Sequence, residues 1–175
     1  MALAQQEKIR ENEGENTMKK KWIFPLLVVA VVLVGCSGKT KKEQSIKNEG
    51  VALMESKDYA GAIKKFDAAL KVKDLNKLNV PEIDILRYRA QAEYLAGDYA
   101  AADHTYTLLG EVDGDKTEYK NMRVICLSKE GNELDKAKAL FDETNALKDS
   151  GIGHKEALLE LGRAWAKKSS ESGDQ

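Results

Sequence analysis

From Ile46 to about Lys168, apolar residues recur at three- and four-residue intervals in a background of Ala, Leu, Lys and Glu, with Pro81 the single proline. That spacing lines up apolar side chains on one face of a 3.6-residue helix, so it predicts an all-α domain. The pattern also repeats. Ala62-x-x-x-Phe66, Ala102-x-x-x-Tyr106 and Ala137-x-x-x-Phe141 each set a small residue one turn before an aromatic, at separations of 40 and 35 residues. A polar or glycine break precedes each pair: Lys57-Asp58-Tyr59, Gly97-Asp98-Tyr99 and Gly131-Asn132-Glu133. Gly97 and Gly131 suit the left-handed residue that closes a helix, while Asp58, Asp98 and Asn132 suit the cap that accepts bonds from the first amides of the next. Asn79-Val80-Pro81-Glu82 predicts another helix start, with proline in the first turn where its missing N–H costs little. The stretch from Lys71 to Pro81 is the largest predicted loop insertion.

These residues resemble the tetratricopeptide repeat (TPR), which carries Leu-Gly-x-x-Tyr on its first helix and Ala-x-x-x-Phe on its second. In the first copy Gly50, Leu53, Tyr59, Ala62, Phe66 and Ala69 fall at the repeat's positions. The second has Ala90 in place of the glycine, followed by Gly97, Tyr99, Ala102 and Tyr106. The third has Ile125 at the glycine position and Leu134 at the tyrosine position. Leu158-x-x-Leu161-Gly162-x-x-Trp165 fits a fourth first helix, but Lys167-Lys168-Ser169-Ser170 follows it, so it is read as a C-terminal capping helix. The resemblance implies a TPR-like right-handed α-solenoid over residues 46–168, with about three helix pairs and a cap, and a disordered tail from 169 to 175. Gly50, Ala62, Ala102 and Gly162 would let helices approach, and Phe66, Tyr106, Phe141 and Trp165 would fill the space between pairs.

The N-terminal pattern differs. Lys19-Lys20-Lys21 precedes the thirteen-residue apolar run Trp22 to Val34, and Leu33-Val34-Gly35-Cys36 resembles the lipobox of a bacterial lipoprotein signal peptide. Thirteen residues interrupted by Pro25 fall short of the roughly 20 that a membrane-spanning helix needs. The expected mature chain therefore begins at a lipidated Cys36, after a signal peptide at 18–35, and continues through a flexible tether at 36–45. Two acyl chains, at about 0.8 kcal/mol per CH₂, would anchor it stably at a cell membrane or outer membrane, on the extracytoplasmic side. The polar, acidic residues 1–17 read as an untranslated or disordered extension, with translation starting at Met18. Glu13-Gly14-Glu15 permits a purine-rich ribosome-binding sequence just upstream of that codon.

Charge and chemistry narrow the function. Twenty-eight basic and twenty-nine acidic residues nearly cancel, and the part after residue 35 retains twenty-three against twenty-five. That balance argues against general nucleic-acid binding. His104 and His154 lie fifty residues apart, outside any close metal-ligand spacing. Cys126, flanked by Val124, Ile125 and Leu127, reads as a core thiol. Gly151-Ile152-Gly153 lacks the residues of a phosphate loop. The chain is therefore expected to be non-catalytic, without cofactor or metal.

What remains is a surface. In TPR proteins the first helices line a concave groove where partner peptides or helices lie. The resemblance puts Lys47, Val51 and Met54 there from the first repeat, and Arg87, Gln91 and Tyr94 from the second. The third contributes Tyr119, Arg123, Cys126 and Lys129, and the cap Glu156, Leu159 and Arg163. Lys47, Arg87, Arg123 and Arg163 form an expected basic track for an acidic or carboxylate-bearing partner segment, beside residue types enriched at binding hot spots. The carboxylate clamp of chaperone-binding repeats is not expected: only Lys47 and Arg123 match, and Val51, Tyr88 and Tyr119 stand elsewhere in its pattern. The expected function is a lipid-anchored protein-interaction scaffold of the bacterial envelope. The alternative is a structural subunit or assembly factor of an envelope complex, serving outer-membrane protein assembly or cell-wall synthesis.

Overall fold

The computed structural model describes residues 38–70 and 78–173. Seven α-helices fill them, with no strand among the described residues: α1 (Gly38–Glu55), α2 (Tyr59–Leu70), α3 (Val80–Ala96), α4 (Tyr99–Asp113), α5 (Thr117–Glu130), α6 (Leu134–Asn145) and α7 (His154–Gly173). The signal-peptide segment, Cys36 and residues 1–17 lie outside the described residues. Within them, no helix is long and apolar enough to cross a membrane.

The polar breaks work as local chemistry dictates. Gly97 and Gly131 take φ of 82° and 78°, and Asp98 N–H reaches back to the Glu93 carbonyl to close α3. The first break uses the same geometry without a glycine. Lys57 sits at φ 64°, its N–H donating to Met54 O and that of Asp58 to Leu53 O. Asp58 and Asp98 then accept from the amides of Gly61 and Ala101. Asn79 and Glu82 form a reciprocal capping box at α3, with Pro81 inside the first turn. Asn132 does not cap its helix. The boundary falls one residue later, at Glu133, which makes no side-chain cap bond.

Two boundaries differ from the sequence reading. Helix α1 starts at Gly38, inside the stretch expected as a tether, and α7 runs to Gly173, through most of the expected disordered tail. Lys, Glu and Gln in these stretches are good helix formers, and each stretch extends a helix already nucleated by core contacts. The predicted insertion before Pro81 falls largely at 71–77, outside the described residues.

Among the described residues the core consists of three apolar clusters, each built on one Ala-x-x-x-aromatic pair. Ala62 and Phe66 pack with Ile85 and Ala92 of α3. Ala102 and Tyr106 pack with Tyr119 and Cys126 of α5. Ala137 and Phe141 pack with Ala157 and Leu161 of α7. Each second helix thus buries its aromatic against the next first helix, which is how a repeat stack closes on itself without a central core. Phe66 is fully buried, and truncating such a ring costs about 3–5 kcal/mol. The α6–α7 connection is held by fully buried Asn121 of α5, whose amide donates to Ser150 O at 2.8 Å and Ile152 O at 2.9 Å.

Candidate functional site

The first helices are bridged in series by polar side chains. Lys47 of α1 bonds Asp84 of α3, with its ammonium 5.0 Å from the Tyr88 ring centre. Arg87 of α3 donates through Nε to the Tyr119 hydroxyl of α5 at 2.8 Å. Lys129 of α5 reaches Glu160 of α7 at 3.5 Å. These contacts put Lys47, Arg87 and Tyr119 on one side of the stack. Gln91, exposed, lies one turn beyond Arg87, and half-buried Tyr94 packs against the apolar cluster of Ala102 and Tyr106 and against the Tyr99 ring. Met54 is half-buried against the first apolar cluster. Arg163 is exposed and donates to Glu160 at 2.7 Å.

Asp113, the last residue of α4, is the hub of this face. Its Oδ2 accepts from Arg87 Nη2 at 2.5 Å, from Lys116 Nζ at 2.6 Å and from the Tyr119 hydroxyl. Burial alone would raise Asp113, but these hydrogen bonds outweigh it and hold the carboxyl down at about 2. In return, Asp113 first and Tyr119 second raise the pKa of Arg87, and Asp113 raises that of Lys116. The Tyr119 phenol is raised too, by burial and then by its bond to Asp113. Asp113, Arg87 and Lys116 are thus charged at neutral pH around a neutral Tyr119, with Arg87 still 43% exposed.

Two expectations about this face need correction. The basic track is not continuous: Arg123 faces the second helices, donating to Asp103 of α4 at 2.9 Å, and Lys136 of α6 lies 3.6 Å from the same carboxylate. Its cations are also compensated, Lys47 by Asp84, Arg87 by Asp113, Arg123 by Asp103 and Arg163 by Glu160. Cys126 lines no groove. It is fully buried, and burial pushes its thiol up to about 12. Lys47 and Arg123, the two matches to the chaperone-type clamp, are each paired with an aspartate, Asp84 and Asp103.

His104 is exposed on α4. His154 opens α7 and stacks on Phe141 at 4.6 Å between ring centres. Sequence reasoning missed Asp113 and Lys116, whose positions at the end of α4 and the start of α5 give no periodic signal. It also missed Asn121, whose burial on α5 is set by the loop folded over it.

No protein-family model matches the chain, and no curated protein matches it in sequence. Among solved structures, the chain is similar to the Sgt2 TPR domain from Aspergillus fumigatus, with a TM-score of 0.56 and 21% identity over 81% of this chain and 89% of that one. The fold is a TPR-like α-solenoid. The alternation of first and second helices, the aromatic carried to the next pair and the α7 cap all fit it.

Proposed function

We propose that this protein is a non-catalytic protein-interaction scaffold, held on the outer side of a bacterial membrane by a lipid on Cys36, that binds a partner peptide or helix along the shared face of α1, α3, α5 and α7. The observation that carries the binding reading is the Arg87 hub. A guanidinium locked by Asp113 and Tyr119, yet 43% exposed, is a pre-organised donor beside exposed Gln91 and half-buried Tyr94. The Tyr119 bond to Arg87 Nε remains when Asp113 is displaced, so part of the ordering cost of the guanidinium is already met. An acidic partner segment competes with Asp113 for Arg87 and Lys116, so carboxylate exchange at this hub is the binding step. The anchor rests on the basic start, short apolar run and lipobox-like residues at 18–36.

A photo-crosslinking residue placed at Gln91, compared with one at exposed Lys64 of α2, tests the surface in intact cells. The expected result is an envelope-protein adduct from position 91 that Arg87→Glu abolishes, with none from position 64. Adducts only from position 64 would move binding off this face. Lipid labelling with a radioactive fatty acid should vanish in Cys36→Ala, and labelling that persists would remove the proposed anchor.

A further inference from the structure

A second surface, independent of the Arg87 face, lies where the stack stops. Between α6 and α7 is a cleft of about 540 Å³ lined by Phe141, Leu158, Leu161, Gly162 and Trp165, with Asp135, Lys138 and Asp142 at its rim. Leu158 and its neighbour Leu159 are 53% and 56% exposed, beside Ala157 and Leu161, the buried residues of α7.

The molecule itself shows what fills such a cleft. Gly162 holds the position in its repeat that Gly50 holds in the first. At Gly50 the space above the helix is taken by the second helix: a Cβ there would lie 2.5 Å from Cε1 of Phe66, the aromatic of the Ala62-x-x-x-Phe66 pair. At Gly162 a Cβ would meet nothing within 4 Å. The earlier first helices end at Glu55, Ala96 and Glu130 and turn back, whereas α7 runs straight on to Gly173, so no described segment covers Gly162. A glycine inside a helix costs about 1 kcal/mol relative to alanine, and at Gly50 close approach of an aromatic offsets it. Nothing within the described chain does so at Gly162.

We propose that the α6–α7 cleft is the docking site for an amphipathic α-helix of a partner protein, seated as the second helix of a fourth repeat. The occupant presents a small residue and, four positions on, an aromatic ring that lies over Gly162 between Phe141 and Trp165. Lys138 is paired with Asp142 at 2.5 Å, and Asp135 has no ion pair among the described residues, so a basic residue on the occupant's flank meets Asp135. The interface continues the α1–α2 packing of this same chain, with the partner supplying the helix.

The chain's own α2 is a ready probe. A peptide of residues 57–70, held helical by a lactam bridge between positions 60 and 64, carries the Ala62-x-x-x-Phe66 pair and exposes those two positions in the native fold. The protein for the test is residues 41–175, which form a compact unit of their own containing all three apolar clusters. Trp165 is its only tryptophan, so fluorescence reports on the cleft directly. The expected result is saturable one-to-one binding with a Trp165 signal, weakened about tenfold or more by Phe66→Ala in the peptide and by Gly162→Leu in the protein. Gly162→Leu adds a side chain at an open, exposed site and should leave helicity unchanged, which circular dichroism checks. No binding, or binding unaffected by Gly162→Leu, overturns the proposal. So does concentration-dependent dimerisation that Gly162→Leu abolishes, since the occupant is then a second copy of this chain. An altered Gln91 crosslink with this cleft intact would bear on the Arg87 face alone.

Discussion

Gly50→Ala and Gly162→Ala are the same substitution at the same repeat position, and the structure predicts opposite signs. In both, replacing a helix-interior glycine gains about 1 kcal/mol of helix propensity. At Gly162 nothing lies within 4 Å of the new methyl, so that gain stands and the variant should be more stable by about 0.5–1 kcal/mol. At Gly50 the methyl lands 2.5 Å from Phe66 Cε1 and 2.7 Å from Cζ, and the ring is fully buried against α3, with nowhere to retreat. Overpacking of this kind costs about 1–3 kcal/mol, so after the propensity gain the net loss runs up to about 2 kcal/mol. Urea unfolding of residues 41–175, followed by circular dichroism at 222 nm and Trp165 fluorescence, measures both. Coincidence of the two probes is the check that one free energy describes the transition, since repeat stacks can unfold in parts. A shift in the same direction for both glycines, or a stabilised Gly50→Ala, would refute the packing argument.

Lys57→Gly should stabilise the domain by about 0.5–1 kcal/mol, because Lys57 is held at φ 64° where Gly97 and Gly131 stand in the equivalent breaks; an unchanged urea midpoint would count against it. Asn121→Ala should cost about 2–4 kcal/mol by leaving the Ser150 and Ile152 carbonyls without their donor. Hydrogen exchange should then rise in residues 146–153, and unchanged protection there would contradict the anchoring role. Asp113 is held at about 2 in the fold, below the ordinary unfolded value of about 3.9. A depressed carboxyl stabilises the fold above its unfolded pKa and loses that contribution as pH falls. Between pH 4 and 2, therefore, the native protein should lose about 1–2 kcal/mol that Asp113→Asn lacks throughout, as pH-dependent urea midpoints would show. The same variant removes the competitor for Arg87 and Lys116, so an acidic peptide captured by this face should bind Asp113→Asn more tightly; weaker binding would argue against carboxylate exchange.

What could be read from the chain alone was local or periodic. Helix period, the Asp58 and Asp98 caps, the Asn79–Glu82 box and the Ala-x-x-x-aromatic pairs all depend on residues within a few positions of one another. Backbone sterics and side-chain reach settle such features before any tertiary contact forms. The repeat then implied the stacking, since no helix pair could bury its apolar face alone.

The character of the surfaces depended on distance in space. Periodicity placed Lys47, Arg87 and Arg123 on helices, but their carboxylate partners lie 37, 26 and 20 residues away in the chain, so the open basic track became a set of closed pairs. Arg123 bonds Asp103 of α4, on a second helix, and so does not extend the track. Gly50 and Gly162 show the division most clearly. Their residue type and repeat position are identical, and the sequence assigned both to close helix contact. Only the packed fold places a phenylalanine ring over one and an open apolar cleft over the other, because what covers a helix face is set by the next element in the stack and not by the helix that bears it.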